Sequence, residues 1–330
     1  MNQKPIVLHC AIHSGNYSSE GITRGFKENG YDVIQLNWQE WRFSHGIESL
    51  RRELIRLAQN NNPELIFLHI QNDGVLDIET IKSLSSVGLT INYTFDVRSK
   101  EKTQWLYSLA PYTGLTLFAC KEDVEHCAAI GIRNTGFICS SCDMELYKPL
   151  LLPEKIKKQY PEIIFIGNNF DNTNLGFEGS RERKEMVQFL HDEFTGRFQH
   201  YGMNWAQSQI INPQQEITMY NSCKIAITQN NFKRYGYTSD RLFRIMSCGA
   251  FCLSQYYEGM EQTLQKEIHL DWWRNFNDLK VLINFYLQED EERRAIANIG
   301  SKFVRENETW GNRVYQLKKM IQQHEQKSNS

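Results

Sequence analysis

The chain has 330 residues, enough to bury two separate cores. Hydrophobic residues at 41% and charged residues at 23% exclude a wholly disordered or fibrous chain. Lys and Arg total 37 against 39 Asp and Glu; the formal net charge of -2 argues against a generic polyanion binder and leaves room only for a local basic patch.

Ile6-Val7-Leu8 reads as a first strand, followed by a Ser/Gly-rich loop from His13 to Ser19 and a helix to about Asn29 that Gly30 terminates. Val33 to Leu36 is a second strand. Ile47, Leu50, Leu54, Leu57 and Ala58 share one helical face, with Arg51, Arg52 and Arg56 off that stripe. Leu65 to Leu68, Leu89 to Tyr93 and Leu115 to Phe118 are further strands. Short strands separated by helices, about one unit per 25–35 residues, predict right-handed crossovers and a parallel sheet in an α/β domain. Pro149, Pro153 and Pro161 then interrupt regular structure, and the expected boundary lies near 150–158, dividing the chain into 1–152 and 153–330. The rhythm restarts with strands at Ile163 to Ile166, Phe198 to Tyr201, Lys224 to Thr228 and Ala250 to Leu253. Helices are expected from Ser180 and over Ser239 to Ser247. The tail carries two helical stripes, Leu279, Leu282, Ile283, Tyr286 and then Trp310, Val314, Leu317, Ile321. No stretch approaches the roughly 20 apolar residues of a membrane helix. Met1 to Ala11 lacks a secretory cleavage pattern, and the eight cysteines read as reduced thiols, so a cytoplasmic protein is expected.

Open parallel sheets bind ligands beyond the carboxyl ends of their strands, so the loops after strands are where chemistry is sought. Gly167, Asn168 and Asn169 follow the first strand of the second half; a glycine there lets a ligand approach the backbone, although for one glycine alone a simple turn is the better reading. Thr238, Ser239 or Asp240 can cap a helix whose free amides suit a phosphate. Arg241 and Arg244, three apart on that helix, either hold a diphosphate leaving group or are two surface arginines. In the first half, His13 is a candidate proton acceptor and Asp96 either a base or a helix cap paired with Arg98. Cys139 and Cys142 have CxxC spacing but no second ligand pair, so buried thiols are expected instead of zinc. No Asp-x-Asp pair of the kind that holds a metal and a sugar diphosphate is present, which favours metal-independent chemistry.

Taken in order, these motifs resemble the CgeB-type (spore maturation protein-like) glycosyltransferases, near the larger GT-B group. The resemblance runs from about Glu162 to Tyr315: Ile164-Phe165-Ile166-Gly167, Tyr201-Gly202-Met203-Asn204-Trp205, Asp240-Arg241-Leu242-Phe243-Arg244 with Cys248-Gly249-Ala250, Tyr257 to Glu261, and Thr309 to Arg313. The first half is similar in Phe95-Asp96-Val97-Arg98, Leu115 to Phe118 and Cys142 to Pro149. The resemblance implies a GT-B fold of two Rossmann-like domains facing across a cleft, with the last helix able to return to the first. It implies sugar transfer from a nucleotide-diphosphate sugar, a UDP-sugar first, to a hydroxyl acceptor, with no further cofactor. Gly167, Asn168, Asn169, Tyr201, Gly202, Trp205, Thr238, Ser239 and Asp240 would bind the donor, Arg241 and Arg244 would steady the departing diphosphate, and His13 or Asp96 would activate the acceptor. Many GT-B enzymes carry two glutamates where this chain has Gly236 and Arg244; Asp240 as a substitute ribose contact and Arg244 as a phosphate contact are the open alternatives. Glycosylation of modified DNA bases, a non-catalytic nucleotide-sugar binder and a sugar-nucleotide epimerase are the competing readings. The acceptor, whether glycan, small molecule, protein or DNA, is left open, as is the oligomeric state.

Overall fold

In a computed structural model the structure describes residues 4–13, 19–95, 100–171, 173, 177–207 and 209–328. The chain divides into two units, 1–143 with 310–330 and 144–309.

The first unit is built from β1 (Ile6–Ala11), α1 (Ser19–Glu28), β2 (Asp32–Asn37), α2 (Trp38–His45), α3 (Ile47–Asn61), β3 (Leu65–Leu68), α4 (Ile78–Ser85), β4 (Leu89–Thr94), α5 (Lys100–Leu109), β5 (Leu115–Phe118), α6 (Lys121–Ala129) and β6 (Thr135–Phe137). Its sheet has the order β2-β1-β3-β4-β5-β6, every pair parallel. β3, apolar throughout, and β5, apolar but for Thr116, are buried along their whole length, as strands covered on both faces are, whereas the edge strand β2 is half-exposed. One face packs Leu8, Cys10, Ile66 and Leu68 against Leu50, Leu54 and Ala58 of α3. Asn37 and Asp77 cap α2 and α4 by accepting from Glu40 N and Thr80 N.

The second unit runs through α7 (Glu154–Lys157), β7 (Ile163–Ile166), α8 (Ser180–Glu193), β8 (Phe198–Tyr201), α9 (Pro213–Tyr220), β9 (Ile225–Thr228), α10 (Asp240–Ser247), β10 (Cys252–Gln255), β11 (Asp271–Trp273), α11 (Phe276–Gln288) and α12 (Asp290–Asn307). Its parallel sheet has the order β11-β10-β9-β7-β8. Phe165, Ile225, Ile227 and Leu253 pack with Met186, Leu190, Leu279 and Ile283 as its core. α10 ends at Gly249, which takes φ +76° and donates to Met246 O at 2.9 Å. β10 therefore starts at Cys252, two residues later than the apolar run from Ala250 suggests.

The prolines on which the sequence-based boundary rests lie inside the second unit. Polar contacts bind the segment around the first of them to that unit: Tyr147 Oη donates to Glu216 Oε2 at 2.8 Å, Leu150 N–H to Asn221 Oδ1 at 2.7 Å, and Arg305 Nη1 to Met144 O at 2.9 Å. The last helix, α13 (Trp310–Ser328), belongs to the first unit. It lies so close to α1 that a Cβ on Gly25 would stand 2.6 Å from Trp310 O, and Trp310, Val314 and Leu317 join Ile22, Phe26 and Tyr93 in the core on that face. No helix among the described residues is long and apolar enough to cross a membrane.

Candidate functional site

The carboxyl edge of the second sheet gathers most of the side chains singled out above. Gly167, following β7, donates its N–H to Tyr201 O at 2.8 Å, and its carbonyl accepts from Trp205 Nε1 at 2.7 Å. Gly202 has φ +132°, and a Cβ there would fall 2.5 Å from Gly167 O, so the loops after β7 and β8 meet at two glycines. Asn168 Oδ1 accepts Met203 N–H at 2.9 Å, Asn169 N–H donates to Met203 O at 3.0 Å, and Asn169 Oδ1 accepts Asp171 N–H at 3.0 Å. The polar groups of Asn168 and Trp205 thus hold loop backbone. Tyr201 is buried and donates to Gln199 Oε1 at 2.5 Å.

Two guanidiniums converge on this loop. Arg183 of α8 is fully buried; its Nε donates to Gln229 Oε1 at 3.0 Å, Nη1 to Asn168 O at 3.0 Å and Nη2 to Gln229 O at 2.7 Å. Partly buried Arg241 donates from Nη1 to the same Gln229 O at 3.2 Å, and its Nη2 would stand 3.1 Å from a Cβ on Gly167. Both cations lie over the Phe165 ring, at 5.5 and 5.7 Å from its centroid. Among the described residues no carboxylate comes within ion-pair distance of either. Burial and the neighbouring Arg241 push the Arg183 pKa well below the ordinary arginine value. Among the described residues the pair has no anion.

α10 starts beside it. Its N-cap residue, Ser239, makes no side-chain cap bond: Ser239 Oγ is buried and bonded to nothing among the described residues, while Ser239 N–H donates to Asn230 Oδ1 at 3.1 Å. The Ser239 side chain therefore leaves the first-turn amides and the positive end of the helix dipole open to another acceptor. Thr238 is buried next to them. Arg244 sits one turn on and is already neutralised: Nη2 donates to Asp240 Oδ2 at 2.5 Å, and Nη1 lies 3.4 Å from both Glu216 oxygens. Burial opposes its charge, yet Asp240 and Glu216 hold its pKa well above the ordinary value. Asp240 and Arg244 are thus joined to each other, while Arg241 faces the strand ends.

In the first unit His13 is engaged on both ring nitrogens, Nε2 with His9 O at 3.2 Å and Nδ1 with Gln35 Nε2 at 2.9 Å; Glu20 Oε1 lies 3.3 Å from Nδ1. Asp96 and loop residues 14–18 lie outside the described residues. No group of three His, Cys, Asp or Glu able to hold a metal ion occurs among the described residues.

Arg183, Gln229 and Asn230 were not singled out from the sequence. A signal existed for the first: Arg183 occupies the stripe of Met186, Val187 and Leu190, and a charge on the apolar face of a helix needs a partner beneath it. Gln229 and Asn230 gave none.

Beside the loop, His191 Nε2 and His200 Nδ1 are 2.7 Å apart, and the His200 ring meets Trp205 edge to face at 4.7 Å. Burial, then His191, lower the His200 pKa from 6.5 to about 4. The unfolded chain takes up this proton near pH 6.5 and the folded one only near 4, so stability is lost as pH falls through that window. The urea midpoint should drop between pH 7.5 and 4.5, and drop less in His200→Gln; equal drops would remove this pair as the cause.

Residues 181–319 match the protein family described as "Glycosyl transferase-like". No curated protein matches the chain in sequence. Among solved structures, Anabaena HepE in complex with UDP-glucose has a TM-score of 0.61 at 11% identity, over 96% of this chain and 99% of that one. Sucrose-phosphate synthase from Thermosynechococcus elongatus gives 0.62 at 12%, over 97% and 99%. The catalytic domain of Arabidopsis thaliana starch synthase IV, bound to ADP and acarbose, gives 0.62 at 9%, over 98% and 99%. Two parallel-sheet α/β domains of the GT-B glycosyltransferase fold are thus established.

Proposed function

We propose that the chain is a CgeB-type glycosyltransferase that takes a nucleotide-diphosphate sugar and passes the sugar to a hydroxyl acceptor without a metal ion. The observation that carries this reading is the pair Arg183 and Arg241, without a carboxylate partner among the described residues, at the start of α10 that Ser239 does not cap. The matched family region, 181–319, contains both arginines. A diphosphate supplies the anion this pair lacks. As the bond from the anomeric carbon to the diphosphate oxygen breaks, negative charge grows on the leaving group, and donors already fixed in place stabilise it without reorganising. The acceptor oxygen forms the new bond, and its proton goes to a base for which His13 and Asp96 are the candidates. HepE holds UDP-glucose in its structure, so UDP is the first nucleotide to try.

The test is a thermal-shift series with UDP, GDP, CDP, dTDP and ADP. A diphosphate at about 100 times its Kd should stabilise the fold by about 2.7 kcal/mol. If none of the five raises the melting temperature, the reading is wrong. Turnover with the sugar form of the binding nucleotide should persist in EDTA. Binding with neither transfer nor donor hydrolysis would make the protein a nucleotide-sugar binder instead.

A further inference from the structure

We infer that the amino edge of the second unit's sheet carries a separate anion site, for a small molecule bearing two or more phosphoryl groups. A cavity of about 990 Å³ opens there, where Glu162, Lys224 and Phe251 lead into β7, β9 and β10. Gly167, Gln229 and the start of α10 lie at the other ends of these strands, so this cavity is not the donor site proposed above. One face of α12 forms a wall, from Asp290 to Arg305. The volume suits a phosphorylated metabolite.

Its charge is lopsided. Among the described residues seven basic side chains and three carboxylates line it, in a chain whose net charge is -2. The three carboxylates are already paired: Glu154 with Lys157 at 3.0 Å, Glu162 with Lys224 at 2.7 Å, and Asp290 with Arg294 at 2.6 Å and with Arg293. Lys158, Lys302 and Arg305 have no carboxylate partner among the described residues. Arg305 is anchored: Nη1 donates to Met144 O at 2.9 Å and lies 3.2 Å from Ser247 Oγ, while Nη2 and Nε bond to nothing among the described residues. α9 and α10 end at this edge, and cations near helix C-termini are favourable without any ligand. That accounts for Arg305. It does not account for two further exposed lysines around a concave wall whose carboxylates are all engaged. Charges of one sign lining a cavity focus its field and draw in a counter-ion.

The experiment is calorimetric titration with inorganic tripolyphosphate and, separately, fructose 1,6-bisphosphate at low salt. It is run on the wild type, on Arg241→Ala, and on Arg241→Ala carrying Lys158→Glu and Lys302→Glu. The Arg241→Ala background weakens anion binding at the opposite edge, so the outcome stands whatever becomes of the donor reading. Both lysines are exposed, and circular dichroism checks that the variants fold. At least one probe should bind Arg241→Ala, and the two charge reversals should weaken that binding about tenfold or more. Binding of both probes points to phosphate charge alone, and of the bisphosphate only to a sugar phosphate; each supports the site. Absence of binding to Arg241→Ala by either probe, or equal binding with and without the reversals, overturns it.

Discussion

Arg241→Ala should keep its fold and lose about 10²–10³-fold in kcat with a nucleotide-diphosphate donor, the usual effect of deleting one fixed donor to a developing oxyanion. Arg241 lies next to buried Arg183 with no carboxylate for either among the described residues, so removing it relieves repulsion between like charges at the loss of one bond to Gln229 O. The melting temperature without ligand should therefore stay near that of the wild type, while the nucleotide-induced shift shrinks. Arg244→Ala should do the reverse. It takes the cation from Glu216, whose side chain is 9% exposed and keeps only the Tyr147 and Tyr220 hydroxyls among the described residues, and from Asp240, a loss of about 2–4 kcal/mol for a partly buried ion pair with one member removed. Comparing melting temperature and turnover in the two variants separates the roles. Full activity in Arg241→Ala would remove the diphosphate from this position.

Gly300→Ala should destabilise the second unit by about 3 kcal/mol, at the upper end of what overpacking does. In an exposed helix the same change stabilises by up to about 1 kcal/mol, because alanine loses less backbone freedom. Here a Cβ on Gly300 would stand 1.9 Å from His269 O and 3.0 Å from Met246 Cε. The methionine can turn aside; the carbonyl belongs to backbone just ahead of β11 and moves only if α12 is pushed off its neighbours. Thermal or urea unfolding reads the difference directly. A neutral or stabilising result would mean that α12 packs less tightly than this against the segment at His269.

The strand runs at Leu65 and Ile163, and at Leu115 with only Thr116 polar, were legible because a parallel strand covered on both faces is nearly all apolar. β6 and β11, three residues each, are too short to carry a pattern. The site was legible in its loops and not in its partners. Gly167 and Gly202 lie in loops after strands and Arg241 on the helix expected from Ser239, but their spacing says nothing of which arginine has a counter-ion.

Composition, apolar runs and the order of glycines and arginines after strands determined two α/β sheets and the edge at which to look, since these follow from local periodicity and the direction of parallel strands. Only the tertiary structure decided that Arg244 is neutralised by Glu216, 28 positions away, and that buried Arg183 joins Arg241 at Gln229. Whether a cation is quenched or left unpaired depends on which carboxylates folding brings within a few ångströms, and residue order does not encode that distance.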